Sequence, residues 1–254
     1  MKTVKENGQL AVVAKRQLAK LGTDQKNNIL AVCAKALRDN AEFIVGENAK
    51  DMENAKNNNM PQGLQDRLML NVERVNAMAE GLELIEKLPD PIGEVLDMRT
   101  LPNGLTVGQK RVPMGVIGII YEARPNVTSD AFGLCLKAGS AVILRGGSDA
   151  IHSNIATVSV FRKAIEGLGY NPDFVQLVED TTRASSTEMM TLNDYIDLLI
   201  PRGGKGLIQS VVKNATVPVI ETGVGNCHIY MDESGKIDDG VNIIVNAKAQ
   251  RVGV

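Results

Sequence analysis

The stretch from Arg111 to Asp149, RVPMGVIGIIYEARPNVTSDAFGLCLKAGSAVILRGGSD, narrows the folds open to this chain more than any other. Val116-Ile-Gly-Ile-Ile120 is a continuous apolar run, the pattern of a strand buried on both faces. Ala141-Val-Ile-Leu144 is a second such run. Between them Ser129 or Asp130 can cap a helix that carries Ala131, Phe132, Leu134, Cys135 and Leu136 and stops at Gly139. Strand, turn, helix and strand in this order make a βαβ unit, and such units bind ligands at the carboxyl ends of their strands. Those ends read Tyr121-Glu-Ala-Arg-Pro-Asn126 and Arg145-Gly-Gly-Ser-Asp149; both are polar and each carries an arginine.

The alternation continues beyond this unit. Strands are expected at 115–120, 141–145, 174–178, 195–200, 217–220 and 227–231. Helices are expected at 129–138, 150–167, 183–191, 204–214 and 238–248. The pattern predicts an α/β fold: a mostly parallel, Rossmann-like sheet with helices on both faces. The region before Leu88 reads as helices that pack on this sheet. One starts at Thr23-Asp24 and aligns Ile29, Leu30, Cys33 and Leu37; another aligns Val75, Met78, Leu82 and Ile85. Lys56 to Pro61 is a turn, and Pro89 to Gly93 ends the helical region. Pro102-Asn-Gly104 between two short mixed runs is a hairpin signal. The expected organisation is helices over 1–93, a hairpin over 94–112 and the sheet domain over 113–254.

Composition excludes several classes. A net charge of −2 gives no basic field for nucleic acid, and the absence of Trp removes stacking surface. No segment is apolar for long enough to span a membrane, and the amino terminus lacks the apolar core of a secretory signal. Three cysteines without a CxxC spacing suggest reduced thiols in the cytoplasm, and two histidines make a multi-histidine metal site a poor expectation.

Four motifs carry chemistry. Pro125 holds Arg124 extended, and the Asn126 amide either caps a helix or donates to a developing oxyanion. Arg145 with Ser148 stands where a NAD-binding unit has its ribose-binding acid, so a 2′-phosphate and hence NADP is favoured, although Asp149 is close by. Ser148 can equally cap the next helix. Pro201-Arg-Gly-Gly-Lys-Gly206 precedes a helix, which lets phosphate approach backbone N–H groups; it is neither a Walker A motif nor a GxGxxG. Glu221 follows the apolar run Val217-Pro-Val-Ile220 and places a carboxylate at a strand end. Cys227 and His228 are adjacent on an extended run and point to opposite faces, so Cys227 reads as a packed thiol. Cys33 and Cys135 lie on apolar helix faces and read as core.

The segments RVPMGVIGIIYEARPNVTSDA, KAGSAVILRGGSDA, IPRGGKGLI, PVIETGVGNCHIYMD and NAKAQR together resemble the gamma-glutamyl phosphate reductase family of the aldehyde dehydrogenase superfamily. The resemblance implies NADPH-dependent reduction of gamma-glutamyl phosphate to glutamate-5-semialdehyde with release of phosphate, in proline biosynthesis, through attack by a cysteine thiolate. It implies that Asn126 donates to the oxyanion and that Arg145 and Ser148 hold the adenosine ribose. Gly203, Gly204 and Lys205 then form the turn near the pyrophosphate, and Glu221 is the cleft glutamate, whose water-activating role a reductase does not need. It also implies a homo-oligomer joined through the hairpin, and names glutamate kinase as a candidate partner. In the family the nucleophilic cysteine follows the NAK-QR segment in a Cys-Asn-Ala run, whereas this sequence reads Arg251-Val-Gly-Val254. The expectation is therefore an N-terminal part without the catalytic domain and without turnover of its own. Two alternatives are a non-catalytic NADP-binding module and an enzyme that uses Cys227.

Overall fold

The computed structural model describes residues 2–122, 124–223 and 228–249. Five helices come first: α1 (Val4–Leu18), α2 (Thr23–Asp39), α3 (Ala41–Asn57), α4 (Gln62–Leu68) and α5 (Val72–Lys87). α1 begins with a capping box, in which Thr3 and Glu6 satisfy each other's backbone N–H. The predicted apolar stripes are the buried ones: Ile29, Leu30, Cys33 and Leu37 on α2, and Val75, Met78, Leu82 and Ile85 on α5.

An antiparallel hairpin follows, β1 (Val95–Thr100) with β2 (Thr106–Lys110), turning through Gly104 at φ +83° as the Pro-Asn-Gly signal requires. Every residue of both strands is exposed. The main sheet contains β3 (Val116–Tyr121), β4 (Ala141–Arg145), β5 (Val175–Leu177) and β6 (Leu198–Arg202), all parallel, in the order β5-β4-β3-β6. Its helices are α6 (Asn126–Lys137), α7 (Ile151–Gly167), α8 (Arg183–Met190) and α9 (Lys205–Asn214); α10 (Ile237–Ala249) lies beyond them with no buried residue.

β3 is buried along its whole length, and its two faces feed two cores. Ile117, Ile119 and Tyr121 join the residues of α2, α5, α6 and α7 on one face. Val116 and Ile120 join Met189 of α8, Val211 of α9 and Val4 and Ala11 of α1 on the other. Gly118 sits on this second face, where a Cβ would meet Leu199 and Met189 side-chain atoms at 2.6 and 2.7 Å. A side chain there would push the ends of Leu199 and Met189 aside, so the glycine lets α8 lie close against the sheet.

Several boundaries differ from the sequence pattern. α6 starts at Asn126, and Ser129 and Asp130 lie inside it rather than capping it. Pro125 holds the cap position at φ −60°, already helical, which pre-organises the turn. The last sheet strand runs 198–202 rather than 195–200. The run 217–220 forms a single parallel bridge, Leu199 with Val219, because Pro218 has no N–H for a ladder. Residues 228–231 form no strand, and Cys227 lies outside the described residues.

Candidate functional site

From β3 the chain moves outward through β4 to β5, then returns to lay β6 on the other side of β3. The strand order reverses between β3 and β6, and the loops leaving those two strands separate to open a crevice. A cavity of about 290 Å³ occupies that place, lined by Arg67, Glu122, Arg124, Arg202, Gly203 and Gly204 among others. Three guanidiniums thus surround one carboxylate.

Glu122 continues the ladder from β3, its backbone N–H donating to the Arg202 carbonyl at 3.3 Å. Its carboxylate accepts the Gly204 N–H at 2.9 Å. Gly204 is the cap residue of α9, so an anion already sits at the positive end of that helix. A Cβ on Gly203 would lie 2.7 Å from the Glu122 carboxyl carbon, so this approach needs glycine at 203.

Of the residues singled out in the sequence, Gly203 and Gly204 line the cavity. Lys205 is the exposed first residue of α9. Asn126 opens α6 and donates through Nδ2 to Asp130 Oδ2 at 3.2 Å, so one of its two amide N–H groups is committed. Burial pushes the Asp130 carboxyl above its ordinary value, against the opposing Asn126 hydrogen bond and the Arg202 charge.

Arg145 does not present an open fork to the crevice. Its Nη2 donates to the Thr181 and Thr182 carbonyls at 2.6 and 2.8 Å, and Nη1 to the Gly146 carbonyl at 3.2 Å. Arg145 therefore braces the β5–α8 loop in this state. Ser148 is exposed and begins a short 3-10 turn, Ser148–Ala150, but Gly147 holds its cap position, which corrects the expected Ser148 cap. Glu221 follows the bridge at Val219 and is exposed near the same carboxyl edge.

The start of α7, directly after this loop, is fixed from a distance. Asp51 on α3 accepts the His152 and Ser153 N–H groups at 3.1 and 2.8 Å and the Ser153 hydroxyl at 2.6 Å. Asn48, one turn earlier, donates to the Leu68 carbonyl and to Ser153 Oγ, both at 2.9 Å, and accepts the Leu70 N–H at 2.8 Å. Both side chains are 1% exposed. Nothing in the sequence pairs position 51 with position 153; the signal that existed was a polar pair, i and i+3, on the buried face of an amphipathic helix.

The two described thiols, Cys33 and Cys135, are buried in the core. Burial pushes Cys135 up to about 12 and raises Cys33 as well. Among the described residues there is no cluster of three or more His, Cys, Asp or Glu side chains fit to hold a metal ion, and no helix is long and apolar enough to cross a membrane.

A parallel four-stranded sheet with helices on both faces, preceded by a separate hairpin, is an aldehyde dehydrogenase-type fold. The chain belongs to the aldehyde dehydrogenase family, whose profile matches residues 1–253. Within it the chain is similar to the gamma-glutamyl phosphate reductase of Lachnospira eligens, 55% identical over 254 residues, which are all of this chain and 61% of that protein. It is similar also to that of Heliobacterium modesticaldum, 57% identical over 247 residues, 97% of this chain and 59% of that protein. The crystal structure of gamma-glutamyl phosphate reductase from Thermotoga maritima superposes with a TM-score of 0.91 at 43% identity, covering 100% of this chain and 61% of that one. The chain thus spans about three fifths of the length of these relatives.

Proposed function

We propose that this chain is the cofactor-binding part of an NADPH-dependent reductase that converts gamma-glutamyl phosphate to glutamate-5-semialdehyde and phosphate. The observation that carries the reading is the crevice. A helix N-terminus and three guanidiniums converge on one small cavity, which is chemistry for phosphorylated ligands. The similarity to reductases of that name, over all of this chain and 61% of the relative, suggests the substrate.

The turn fits a pyrophosphate because its Gly204 N–H is already bonded to an oxyanion, that of Glu122. Gly203, Gly204 and Lys205 would hold the cofactor's phosphates and Ser148 its ribose phosphate, with Arg145 joining it on giving up its bonds to the Thr181 and Thr182 carbonyls. Bound there, the cofactor supplies a hydride. The remaining work falls to this chain's own groups. Asp130 fixes which way the Asn126 amide faces by accepting one N–H, and the second N–H is left to donate to an acyl oxygen as it gains charge. Glu221 is exposed and directly precedes Thr222, which lines the crevice, and no step of a reduction requires it to activate water. The helices of 1–93 act as a support for the cofactor domain over 113–254.

The hairpin supports a homo-oligomer: Val95, Leu96, Met98, Leu105 and Val107 are exposed on a two-stranded ribbon with open edges. Glutamate kinase, whose product would be the substrate, is the partner that the chemistry suggests. A cytoplasmic location rests on the reduced thiols alone.

Fluorescence titration of the chain with NADPH and NADH tests the cofactor assignment. NADPH should bind roughly tenfold tighter, about the value of one good charge-assisted contact. Equal affinities would remove NADP from the reading, and no binding of either would remove the nicotinamide site.

A further inference from the structure

We infer that Arg67 determines substrate specificity: its guanidinium holds an oxyanion of the acyl phosphate, either the α-carboxylate or the phosphoryl group. The inference rests on the proposed reductase reading and adds a residue that sequence reasoning did not single out.

Arg67 reaches the crevice from α4, whereas Arg202 ends β6 and Glu122, Arg124, Gly203 and Gly204 come from the loops after β3 and β6. Its backbone is held firmly. Arg74 donates to the Asp66 carbonyl and, at 2.7 and 2.9 Å, to the Asp66 carboxylate and the Met69 carbonyl. On the other side of Arg67, the buried Asn48 amide donates to the Leu68 carbonyl at 2.9 Å, and the Leu68 side chain is fully buried. A long, flexible side chain on a pinned backbone loses less freedom on binding than one on a loop.

The charges match a particular ligand class. The cavity lining sets three arginines against one glutamate. An uncharged aldehyde has no use for that excess, while an amino-acid acyl phosphate brings a carboxylate and a phosphoryl group. The α9 N-terminus and Lys205 stand ready for the cofactor's phosphates on the β6 side. The guanidinium from α4 belongs to a different element, and its planar fork suits bidentate recognition of either oxyanion.

The probe is the stable phosphonate analogue of gamma-glutamyl phosphate, with a methylene in place of the bridging oxygen. Calorimetric titration of the chain should show binding that Arg67→Gln weakens about tenfold or more, with NADPH affinity changed less than about twofold. Arg67→Lys, which keeps the charge without the fork, should fall between them. The second arm uses the same analogue with its α-carboxylate amidated. If Arg67 holds the carboxylate, amidation and Arg67→Gln cost the same and do not add; if it holds the phosphoryl group, their costs add. Unchanged analogue binding by a folded Arg67→Gln variant overturns the inference, as does a wild-type chain that binds NADPH but not the analogue. A wild-type chain that binds neither refutes the underlying reductase reading instead.

Discussion

Glu122 and a phosphate oxygen cannot both take the Gly204 N–H. In the structure Glu122 has it, at 2.9 Å, at the cap of α9. A ligand that puts its pyrophosphate on this turn must first displace that carboxylate. A hydrogen bond to a charged group contributes about 1.5–3 kcal/mol and a helix terminus about 0.3–1 kcal/mol. Glu122 is exposed, so solvent screening takes the sum to its lower end, about 1 kcal/mol. Replacing Glu122 with Gln keeps the shape, removes the charge and should tighten NADPH binding roughly fivefold. The gain should shrink as ionic strength rises, because the competition is between exposed charges. NADPH fluorescence titrations of both proteins at low and moderate salt read this directly. An Glu122→Gln variant that is folded but binds NADPH equally or more weakly would show that the carboxylate does not occupy the phosphate's place.

Three further outcomes follow from buried groups. Asp51→Ala should cost about 3 kcal/mol in urea denaturation, since it removes the cap of α7 and strands a buried Ser153 hydroxyl; a loss under about 1 kcal/mol would refute the capping role. Burial raises the Asp90 carboxyl, but its hydrogen bonds and charge contact with Lys26, Ile92 N–H and Thr23 outweigh this and hold it below its ordinary value. A depressed carboxylate stabilises the fold above its unfolded value of about 3.9, and that stability is lost as pH falls through the lower folded value. Asp90→Asn should therefore flatten the acid limb of stability below about pH 4, and an unchanged limb counts against the ion pair. Of the three cysteines, at most one should react with a thiol reagent at mildly alkaline pH before unfolding and all three after it, because burial raises Cys33 and Cys135; fast native reaction of two would contradict their burial.

What could be read in the sequence is what local physics decides. The apolar runs 116–120 and 141–144 have no polar position to expose, and their shortness between polar turns marks them as buried strands. The stripes of α2 and α5 and the Pro-Asn-Gly turn follow from period and backbone freedom in the same way. The run 217–220 misled because its composition is that of a strand while Pro218 removes a ladder donor. The glycine turn before α9 was legible as an anion site; that its first occupant is the protein's own Glu122 was not, because this depends on β6 lying beside β3. Arg145 was legible as a strand-end cation, but its donors turn to Thr181 and Thr182, on a loop that only the fold brings near.

The residues that no pattern revealed, Asp51 and Arg67, share an origin, and this changes the role of the N-terminal helices. Asp51 on α3 sets the start of α7, which carries the loop after β4; Arg67, one residue before the end of α4, enters the crevice beside β6. Asn48 ties the two together by bonding both Ser153 and the Leu68 carbonyl. One buried amide thus sets the distance between the cofactor-side loop and the guanidinium assigned to the substrate. If that coupling is real, Asn48→Ala should weaken NADPH and the phosphonate analogue together, although Asn48 lines neither part of the crevice. Weakening of only one ligand would mean that α3 and α4 support the two halves of the site independently.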